Sequence, residues 1–275
     1  MEKIGICVVT RNRREYLETC INSIINLLTY DHIVIINDGD TAFTYESIPT
    51  INNKENLGVG KSKNKGMRYL LNNGCDHIFV IEDDIVIKDS TVLQKYIEAS
   101  KASKILHLNY ALGTPFNRKQ KTSFDLYNRH ELGLENEPNP KLNIDYGNGI
   151  SISLYQHISG MVSYYHKSVL EDIGLIDEQY FNAWEHVDAT YQAIKAGYHP
   201  PFWWFADIAN SDKYLEPQKD SIKNSSTSKN TEKWMKNIQI NAEKYKNKNG
   251  HYPAQTPLES QENVIQWLKN KRKEK

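Results

Sequence analysis

The chain has 275 residues, 39% of them hydrophobic, and its 34 basic residues balance its 34 acidic residues. A chain of this length can bury a sizeable core, either as one large domain or as one domain with an extension. Because the formal net charge is zero, no global electrostatic field favours nucleic acid, and no nucleic-acid partner is expected.

Neither the apolar stretches nor the cysteines indicate membrane insertion or export. No apolar stretch approaches the roughly 20 residues of a membrane span, and Met1–Lys3 leads directly into a predicted strand, without the layout of a signal peptide. Cys7, Cys20 and Cys75 have neither paired nor metal-ligand spacing. The sequence therefore predicts a cytoplasmic protein whose cysteines are reduced core thiols.

The first two predicted strands each end in a polar loop. Ile4–Val9 is apolar and is followed by the basic loop Thr10–Arg14 and by a helix whose apolar stripe runs over Tyr16–Leu28. His32–Ile36 is a second buried strand, ended by the turn Asn37–Asp40. Alternating strands and helices predict an α/β fold with a mainly parallel sheet, whose ligand-binding loops gather at the carboxyl ends of the strands.

A segment rich in glycine and lysine, Asn56–Met67, runs into a helix that is predicted to end near Asn73–Gly74. Glycines and lysines at a helix start can cradle a diphosphate, because free N–H groups, the helix dipole and ammonium charges all favour an anion. The alternative is a loop with solvated lysines, and the spacing of a Walker-type P-loop is absent.

Three adjacent carboxylates, Glu82, Asp83 and Asp84, follow the apolar run Ile78–Ile81. The run predicts a central strand that is buried on both faces. Folding does not require mutually repelling acids at this position, whereas a hard divalent cation such as Mn²⁺ or Mg²⁺ prefers oxygen ligands. The alternative is an acidic turn after a strand.

The middle of the chain predicts further elements around one long polar segment. Ser90 is predicted to cap a helix that runs through Ala99, and Lys104–Leu112 is a predicted strand. Gly113–Gly149 is too long for an ordinary connection, so we interpret it as a functional loop or small subdomain that could hold an acceptor. Two strands and a short helix follow: Ile150–Tyr155, Met161–Tyr165 and Lys167–Ile173, the helix being closed by Gly174.

Glu185, His186 and Asp188 gather around the first turn of a predicted helix that ends at Gly197. Acids at this position can simply complement the helix dipole, at about 0.3–1 kcal/mol each. A large aromatic residue, Trp184, beside a Glu–His pair suits a sugar-binding wall with a proton acceptor. The alternative is a buried tryptophan beside a histidine with satisfied hydrogen bonds.

Beyond Tyr214 the composition shifts, and residues 216–275 are predicted to be a linker and a helical extension. The extension comprises a linker, two helices and a basic end: Lys219–Asn230, Thr231–Asn247, a last helix opened by Thr256–Glu259, and Lys269–Lys275. The basic end is interpreted as a solvated terminus that complements the helix dipole, with peripheral contact to anionic lipid, or to nucleic acid, as the alternative.

Taken in order, these motifs resemble those of the GT-A-fold glycosyltransferases, especially the family 2 enzymes, over roughly residues 3–212. The motifs are Val8–Arg13, Asn37–Gly39, Asn56–Gly58 with Lys63–Asn64, Glu82–Asp84 and Trp184–Asp188. The resemblance implies a GT-A catalytic domain over residues 1–215, with a nucleotide-sugar half at about 1–105 and an acceptor half at about 106–215. It also implies sugar transfer from a nucleotide diphosphate sugar, with UDP-sugar expected, to a hydroxyl of a glycan or glycoconjugate.

The resemblance and the diphosphate-cradle interpretation together assign roles to residues. Those expected at the nucleotide sugar are Thr10, Arg11, Arg13, Asp38, Asn56, Gly58, Lys61, Lys63, Asn64, Glu82 and Asp83. The family implies that Asp84 ends a DxD-like motif that ligates Mn²⁺ or Mg²⁺, and Trp184 is expected at the acceptor. Glu82 stands where an Asp is commoner, but a Glu-Asp-Asp version also occurs in enzymes of the N-acetylglucosaminyltransferase I type.

Two departures from the family pattern bear on the chemistry. His186 stands where these enzymes usually have an Asp as base. A neutral imidazole can accept a hydroxyl proton near pH 7, but Glu185 or Asp188 could equally do so, and the base stays open among the three. The segment after this helix lacks the histidine that many relatives use as a further metal ligand. Asp207, Asn210 or Asp212 could take its place, and the alternative is weak metal binding.

Three further alternatives remain at the level of sequence. Direct displacement would invert the anomeric centre, as the resemblance implies, but His186 leaves a retaining enzyme open. A nucleotidyltransferase of the same fold would have a glycine-rich basic loop after the first strand, and Thr10–Arg14 contains no glycine. A catalytically inactive carbohydrate-binding protein is the non-enzymatic alternative.

Overall fold

A six-stranded sheet forms the centre of the protein in the computed structural model. The residues described are 2–119, 137–201, 205–221, 223–225, 231–253 and 259–272. The strands are β1 (Ile4–Thr10), β2 (His32–Asn37), β3 (Thr50–Asn52), β4 (His77–Glu82), β5 (Ile85–Ile87), β6 (His107–Asn109), β7 (Leu142–Gly147), β8 (Ile150–Tyr155), β9 (Val162–His166), β10 (Phe205–Ile208) and β11 (Leu215–Pro217). The α-helices are α1 (Arg14–Leu27), α2 (Val59–Asn72), α3 (Val92–Ser103), α4 (Lys167–Ile173), α5 (Glu185–Lys195), α6 (Thr231–Asn249) and α7 (Gln261–Lys271).

The central sheet has the strand order β3-β2-β1-β4-β9-β6. Strand β1 pairs in parallel with β2 and β4, and β2 pairs in parallel with β3, whereas β9 runs antiparallel to β4 and β6. The apolar run Ile78–Ile81 lies within β4, in the middle of the sheet and fully buried. The predicted α/β fold with a mainly parallel sheet and a central acidic strand is therefore confirmed.

Alternate residues of each central strand face two different hydrophobic cores, as the period of two along a strand requires. Ile6 and Val8 of β1 pack in the core that contains residues of α1 and α3. Cys7 and Val9 pack in the core that contains residues of α2, α4 and α5. Helices therefore cover both faces of the sheet. The three cysteines are free and buried, as predicted.

The predicted N-cap of α3 is wrong by one residue. The helix begins at Val92 after the N-cap residue Thr91, and no hydrogen bond from Ser90 caps it. Asp89 forms the turn instead, because its Oδ1 accepts a hydrogen bond from the Thr91 backbone N–H at 2.7 Å. The helix also runs past Ala99, to Ser103.

The strand predicted over Lys104–Leu112 is much shorter in the structure. Only β6, His107–Asn109, is a strand, because Lys104 takes the left-handed conformation at φ 62° and a 3₁₀ turn begins at Ala111. The long polar segment that follows includes β7, which forms an antiparallel hairpin with β8. Residues 120–136 of that segment lie outside the described part of the chain.

The predicted C-terminal helices are present, but the last one starts later than expected. It begins at Gln261, after the N-cap residue Ser260, whose Oγ accepts a hydrogen bond from Asn263 N at 3.1 Å. Residues 254–258, where its start was predicted, lie outside the description, as does the end of the basic terminus after Arg272. No helix in the described ranges is both long and apolar enough to cross a lipid bilayer.

Both C-terminal helices pack against the body of the protein. Val264 and Leu268 of α7 join the core that contains α1 and α3. Tyr245 of α6 packs with Tyr180, which precedes α5, and with Val187 in the first turn of α5. Strand β11 also pairs antiparallel with β5, directly after the three acidic residues. The division of the chain at residue 215 stays a prediction.

Candidate functional site

The carboxyl ends of β1 and β4 bring predicted site residues to one edge of the sheet. Thr10 ends β1 and Glu82 ends β4, with Val9 and Glu82 paired in register. Asp83 and Asp84 form the turn between β4 and β5 and are 0% and 5% exposed. We call Glu82–Asp84 the acidic turn. Its burial is more extensive than its sequence suggested, so its charges need partners inside the protein.

Arg13 supplies positive charge to the acidic turn. This residue directly precedes α1, and its Nη1 donates a hydrogen bond to Asp84 Oδ2 at 3.3 Å while its Nη2 pairs with Asp83 Oδ1. Thr10 Oγ1 donates to Asp83 Oδ2 at 2.6 Å. The first loop is therefore folded onto the acidic turn. A direct role of Thr10 and Arg13 in nucleotide binding stays a prediction.

Burial opposes the ionisation of both aspartates of the acidic turn. Burial raises the pKa of Asp83 to about 7, although the Arg13 guanidinium opposes this shift. Burial also raises the pKa of Asp84 against the effect of Arg13. Asp84 Oδ1 is buried and has no hydrogen-bond partner among the described residues. An unpartnered buried carboxylate oxygen is the kind of atom that a hard cation would bind.

Lys63 of α2 reaches the same turn from the other side of the site. Its Nζ lies 2.7 Å from Glu82 Oε1 and donates to Gly160 O at 2.8 Å. Burial alone would lower the pKa of this ammonium, but Glu82 and Glu185 outweigh burial and raise it. Lys63 is thus buried and paired, rather than exposed at the helix start as the diphosphate-cradle interpretation expected.

Glu185 and His186 form a pair at the start of α5. His186 Nδ1 lies 2.9 Å from Glu185 Oε1, and the His186 side chain keeps 23% exposure while Glu185 is buried. Burial alone would raise the pKa of Glu185, but His186 and Lys63 outweigh it and lower that pKa to about 2. Glu185 is therefore ionised at neutral pH. Its Oε2 has no hydrogen-bond partner in the described part of the chain.

Gly160 joins the acidic turn to the Glu185–His186 pair. A Cβ atom at this position would lie 3.1 Å from both Glu82 Oε1 and Lys63 Nζ, and 3.3 Å from His186 Nδ1. Three predicted site residues from β4, α2 and α5 therefore converge on one glycine. Sequence reasoning missed Gly160, although a glycine just before a strand can mark a close approach of backbone.

Asp38 organises the loop that precedes α2. Its Oδ1 accepts hydrogen bonds from Asn53 Nδ2 at 2.7 Å and from Leu57 N at 2.8 Å, and its Oδ2 accepts one from Gly58 N at 3.0 Å. Asn56 Oδ1 also accepts from Gly58 N, at 3.1 Å. These contacts give Asp38 and Asn56 a structural role, and their contact with a nucleotide base stays a prediction.

The remaining predicted nucleotide-sugar residues differ in their surroundings. Asn64 is fully buried and exchanges hydrogen bonds with the Ile176 backbone, at 2.8 and 3.0 Å. These hydrogen bonds hold α2 against the segment after α4. Arg11 Nη2 lies 3.9 Å from Asp40 Oδ1, and Lys61 is half-buried at the start of α2.

Asp188 and Trp184 are held by the C-terminal helix α6. Asp188 is buried, and its Oδ2 lies 2.7 Å from Lys248 Nζ while its Oδ1 accepts from Asn249 Nδ2 at 3.0 Å. Trp184 Nε1 donates to Ile238 O at 3.0 Å. Neither residue contacts the acidic turn through these bonds. The predicted roles of Asp188 as base and Trp184 as acceptor wall therefore compete with structural roles.

The acids that were considered as further metal ligands have partners elsewhere. Asp207 accepts hydrogen bonds from Tyr96 OH at 2.7 Å and Ser211 Oγ at 2.6 Å, and Asp212 lies 3.2 Å from Arg118 Nη1. The described ranges contain no group of three His, Cys, Asp or Glu side chains that could hold a metal ion. The role of Asp84 as a metal ligand stays a prediction.

Gln218 is a second residue that sequence reasoning missed. Its backbone N–H donates to Asp84 O at 2.7 Å, and its Nε2 donates to Asp83 O at 2.8 Å and to Tyr16 O at 2.8 Å. Gln218 follows β11, and its hydrogen bonds to Asp83 O and Asp84 O fix the backbone of the acidic turn. No signal in the sequence connects positions so far apart, since neither periodicity nor a motif spans them.

Comparisons with known proteins bear on both fold and site. The sequence matches the model of glycosyl transferase family 2 over residues 5–174. A comparison with curated protein sequences gave no match.

Solved structures with a similar fold include S. aureus TarS. In complex with UDP it has a TM-score of 0.51 and 14% identity, covering 97% of this chain and 69% of that chain. In complex with UDP-GlcNAc it has a TM-score of 0.52 and 13% identity, covering 98% and 72%. A longer TarS structure has a TM-score of 0.51 and 14% identity, and the chain spans only 43% of it. At such identities these structures show the fold alone.

The family match covers the first loop, the acidic turn and α2, and it ends before α5, which carries Glu185 and His186. It also extends over more than half of the sequence. The chain therefore belongs to glycosyl transferase family 2 and is a glycosyltransferase with the GT-A fold.

Proposed function

We propose that this glycosyltransferase moves a sugar from a UDP-sugar to a hydroxyl of a glycan or glycoconjugate, in a metal-dependent reaction that inverts the anomeric centre. The observation that carries the proposal is Asp84 Oδ1, a buried carboxylate oxygen without a hydrogen-bond partner in the described residues. The proposal is supported by the fold, since S. aureus TarS structures of similar fold hold UDP and UDP-GlcNAc.

Asp84 is the residue proposed to hold Mn²⁺ or Mg²⁺. Such ions are commonly bound through one or two carboxylates together with substrate phosphates and water, so a site without three protein ligands is compatible with binding. When bound, the ion stabilises the negative charge that develops on the leaving diphosphate. Arg13 lies against the same carboxylates, and its planar guanidinium can bind phosphate oxygens in pairs.

His186 is the proposed base, and Glu185 orients it. Because the Glu185 carboxylate lies 2.9 Å from Nδ1, the neutral imidazole is assigned its proton on Nδ1, which leaves Nε2 to accept the proton of the acceptor hydroxyl. The ionised Glu185 then stabilises the imidazolium that forms. Asp188 is less suited to this role, because it is buried against Lys248 of α6.

Calorimetry with UDP and uridine, each with and without Mn²⁺, tests the metal and diphosphate roles. We expect UDP to bind with Mn²⁺ and much more weakly without it, and uridine to be indifferent to the metal. Asp84→Asn should lose the Mn²⁺ effect while keeping its fold. Asp89→Asn is the matched control, because Asp89 lies just beyond β5 and its carboxylate forms the turn before α3, not part of the acidic turn.

Donor use is tested by hydrolysis of UDP-glucose, UDP-galactose and UDP-GlcNAc, because these assays need no knowledge of the acceptor. Replacing His186 by asparagine should lower turnover by about 10²–10⁴-fold, the usual scale of general-base catalysis, with little change in UDP binding. UDP binding that does not respond to Mn²⁺ would contradict the metal role. Sugar or nucleotide binding with no turnover of any donor or acceptor would favour a carbohydrate-binding protein instead.

A further inference from the structure

The turn that precedes the Glu185–His186 pair has an unusual backbone. Asn182 and Trp184 both adopt the left-handed conformation, at φ 57° and φ 68°. Asparagine tolerates this region, but for a bulky residue such as tryptophan it is a genuine outlier. A conformation of this kind persists only when the surrounding structure holds it, and such outliers cluster at functional sites. We call residues 181–184 the strained turn.

Helix α6 holds the strained turn through one buried amide. Asn241 is 1% exposed, and its Nδ2 donates hydrogen bonds to Phe181 O at 3.0 Å and to Ala183 O at 3.1 Å. These are the carbonyls on either side of Asn182. Trp184 Nε1 adds a third bond from the turn to the helix, to Ile238 O at 3.0 Å. The two carbonyls would lack these donors if Asn241 were replaced by alanine.

The other side of the strained turn contacts the start of α2. Asn182 Oδ1 accepts a hydrogen bond from Val59 N at 2.9 Å, at the first residue of that helix. A Cβ at Gly58 would lie 2.8 Å from the Phe181 ring, so the two segments are in close contact. Lys63, one turn further along α2, pairs with Glu82. The strained turn therefore connects α6 to α2, the helix whose Lys63 pairs with the acidic turn.

We propose that Asn241 is a positioning residue, which fixes His186 relative to the acidic turn by holding the strained turn from α6. This inference rests on the proposed function of His186 as base. The helix lies beyond residue 174, where the family match ends, so the device belongs to the C-terminal part of this chain. Displacement of a reacting group by about 1 Å can cost about 10²-fold in rate.

The test compares Asn241→Ala and Asn241→Leu with Val264→Ala. Leucine fills the buried space without N–H donors and without a charge, so it serves if the alanine variant fails to fold. Val264 lies in α7 and is fully buried in the core that contains α1 and α3, away from the strained turn. Its truncation controls for general destabilisation, and all variants are compared at temperatures where they are fully folded.

Turnover of the UDP-sugar that the wild type hydrolyses fastest, among UDP-glucose, UDP-galactose and UDP-GlcNAc, is the first readout. We expect kcat of the Asn241 variants to fall about 10–100-fold, with KM and UDP binding within about twofold of the wild type. Val264→Ala should keep kcat within about twofold. A kcat for the Asn241 variants equal to that of Val264→Ala would overturn the inference.

The second readout is nuclear magnetic resonance of isotope-labelled histidine, which needs no substrate. The His186 signals are assigned by their loss in His186→Asn. They should shift in the Asn241 variants and stay in place in Val264→Ala. Unchanged His186 signals would overturn the inference whatever the rates are. If His186→Asn itself keeps full turnover, the proposed base is wrong, and the spectra alone decide whether Asn241 positions this side chain.

Discussion

Replacement of Arg13 by glutamine tests whether this guanidinium is the internal counter-ion of the acidic turn. It contacts Asp83 and Asp84, both of them buried. Removing one partner of a buried ion pair typically costs about 3–5 kcal/mol, because the other charge stays buried. We expect the lower end, about 3 kcal/mol, since the Arg13 side chain is 17% exposed. Burial also raises the pKa of Asp83 to about 7, so a proton can take the place of the lost cation.

Thermal melting measures this loss, and Arg14→Gln is the matched control. A loss of about 3 kcal/mol corresponds to a melting temperature lower by about 6–12 °C, at about 2–4 °C per kcal/mol for a large domain. Arg14 is 47% exposed, pairs with Glu18 one helical turn away and lies over the rings of Phe43 and Tyr45. Loss of these exposed contacts should cost about 1–2 kcal/mol, less than the loss at Arg13.

Addition of Mn²⁺ provides an independent check on the same variants. The ion should raise the melting temperature of Arg13→Gln by more than that of the wild type, because binding to the folded state stabilises it and the ion replaces the missing positive charge. Equal melting temperatures for Arg13→Gln and Arg14→Gln would refute the reasoning, and an equal response to Mn²⁺ would refute the substitution of one cation by the other.

Two further predictions follow from the geometry at the other end of the site. Gly160→Ala should lower kcat/KM by about 10-fold or more, because a Cβ there would lie 3.1–3.3 Å from Glu82, Lys63 and His186. Circular dichroism should show that the fold is retained. Unchanged kinetics would show that the reaction does not use this space. The pKa of Glu185 is lowered to about 2 from an ordinary value of 4.5, so its ionised form contributes stability above about pH 4.5 that is lost as the pH falls towards 2. Acid unfolding should therefore have a weaker pH dependence between these values in Glu185→Gln, and identical acid limbs for variant and wild type would contradict the pairing.

Local patterns predicted the sheet and most helices, because their causes are local. The run Ile78–Ile81 is apolar at every position, and a strand buried on both faces requires that pattern. Helix α4 has the predicted bounds, Lys167–Ile173, since Gly174 can adopt the positive φ of 82° that ends it. The start of α3 was misplaced because Ser90, Thr91 and Asp89 are all residues that favour this position.

The contacts that decide the roles of site residues were not predictable from the sequence. The sequence predicts Lys63 as a phosphate ligand at a helix start, but the fold buries its side chain against Glu82. The sequence predicts Asp188 as a candidate base, but its carboxylate pairs with Lys248, which lies 60 positions further along the chain. The Lys248–Asp188 pair depends on how α6 docks against α5. Neither hydrophobic period nor motif spacing encodes that docking directly.

The charge balance around the acidic turn argues for a cation with the substrate. Close charge contacts join six side chains: Arg13, Lys63, Glu82, Asp83, Asp84 and Glu185. Four of these are acids and two are bases, so the group carries negative charge when it is fully ionised. A nucleotide diphosphate is itself an anion and would be repelled by such a group in a poorly solvated site. A divalent ion at Asp84 would reverse that repulsion. Arg13 and Lys63 pair with the protein's own carboxylates, so they leave less positive charge for the diphosphate. Metal dependence is therefore expected from the pairing of charges inside this protein, independently of the pattern Glu82–Asp84 in its sequence.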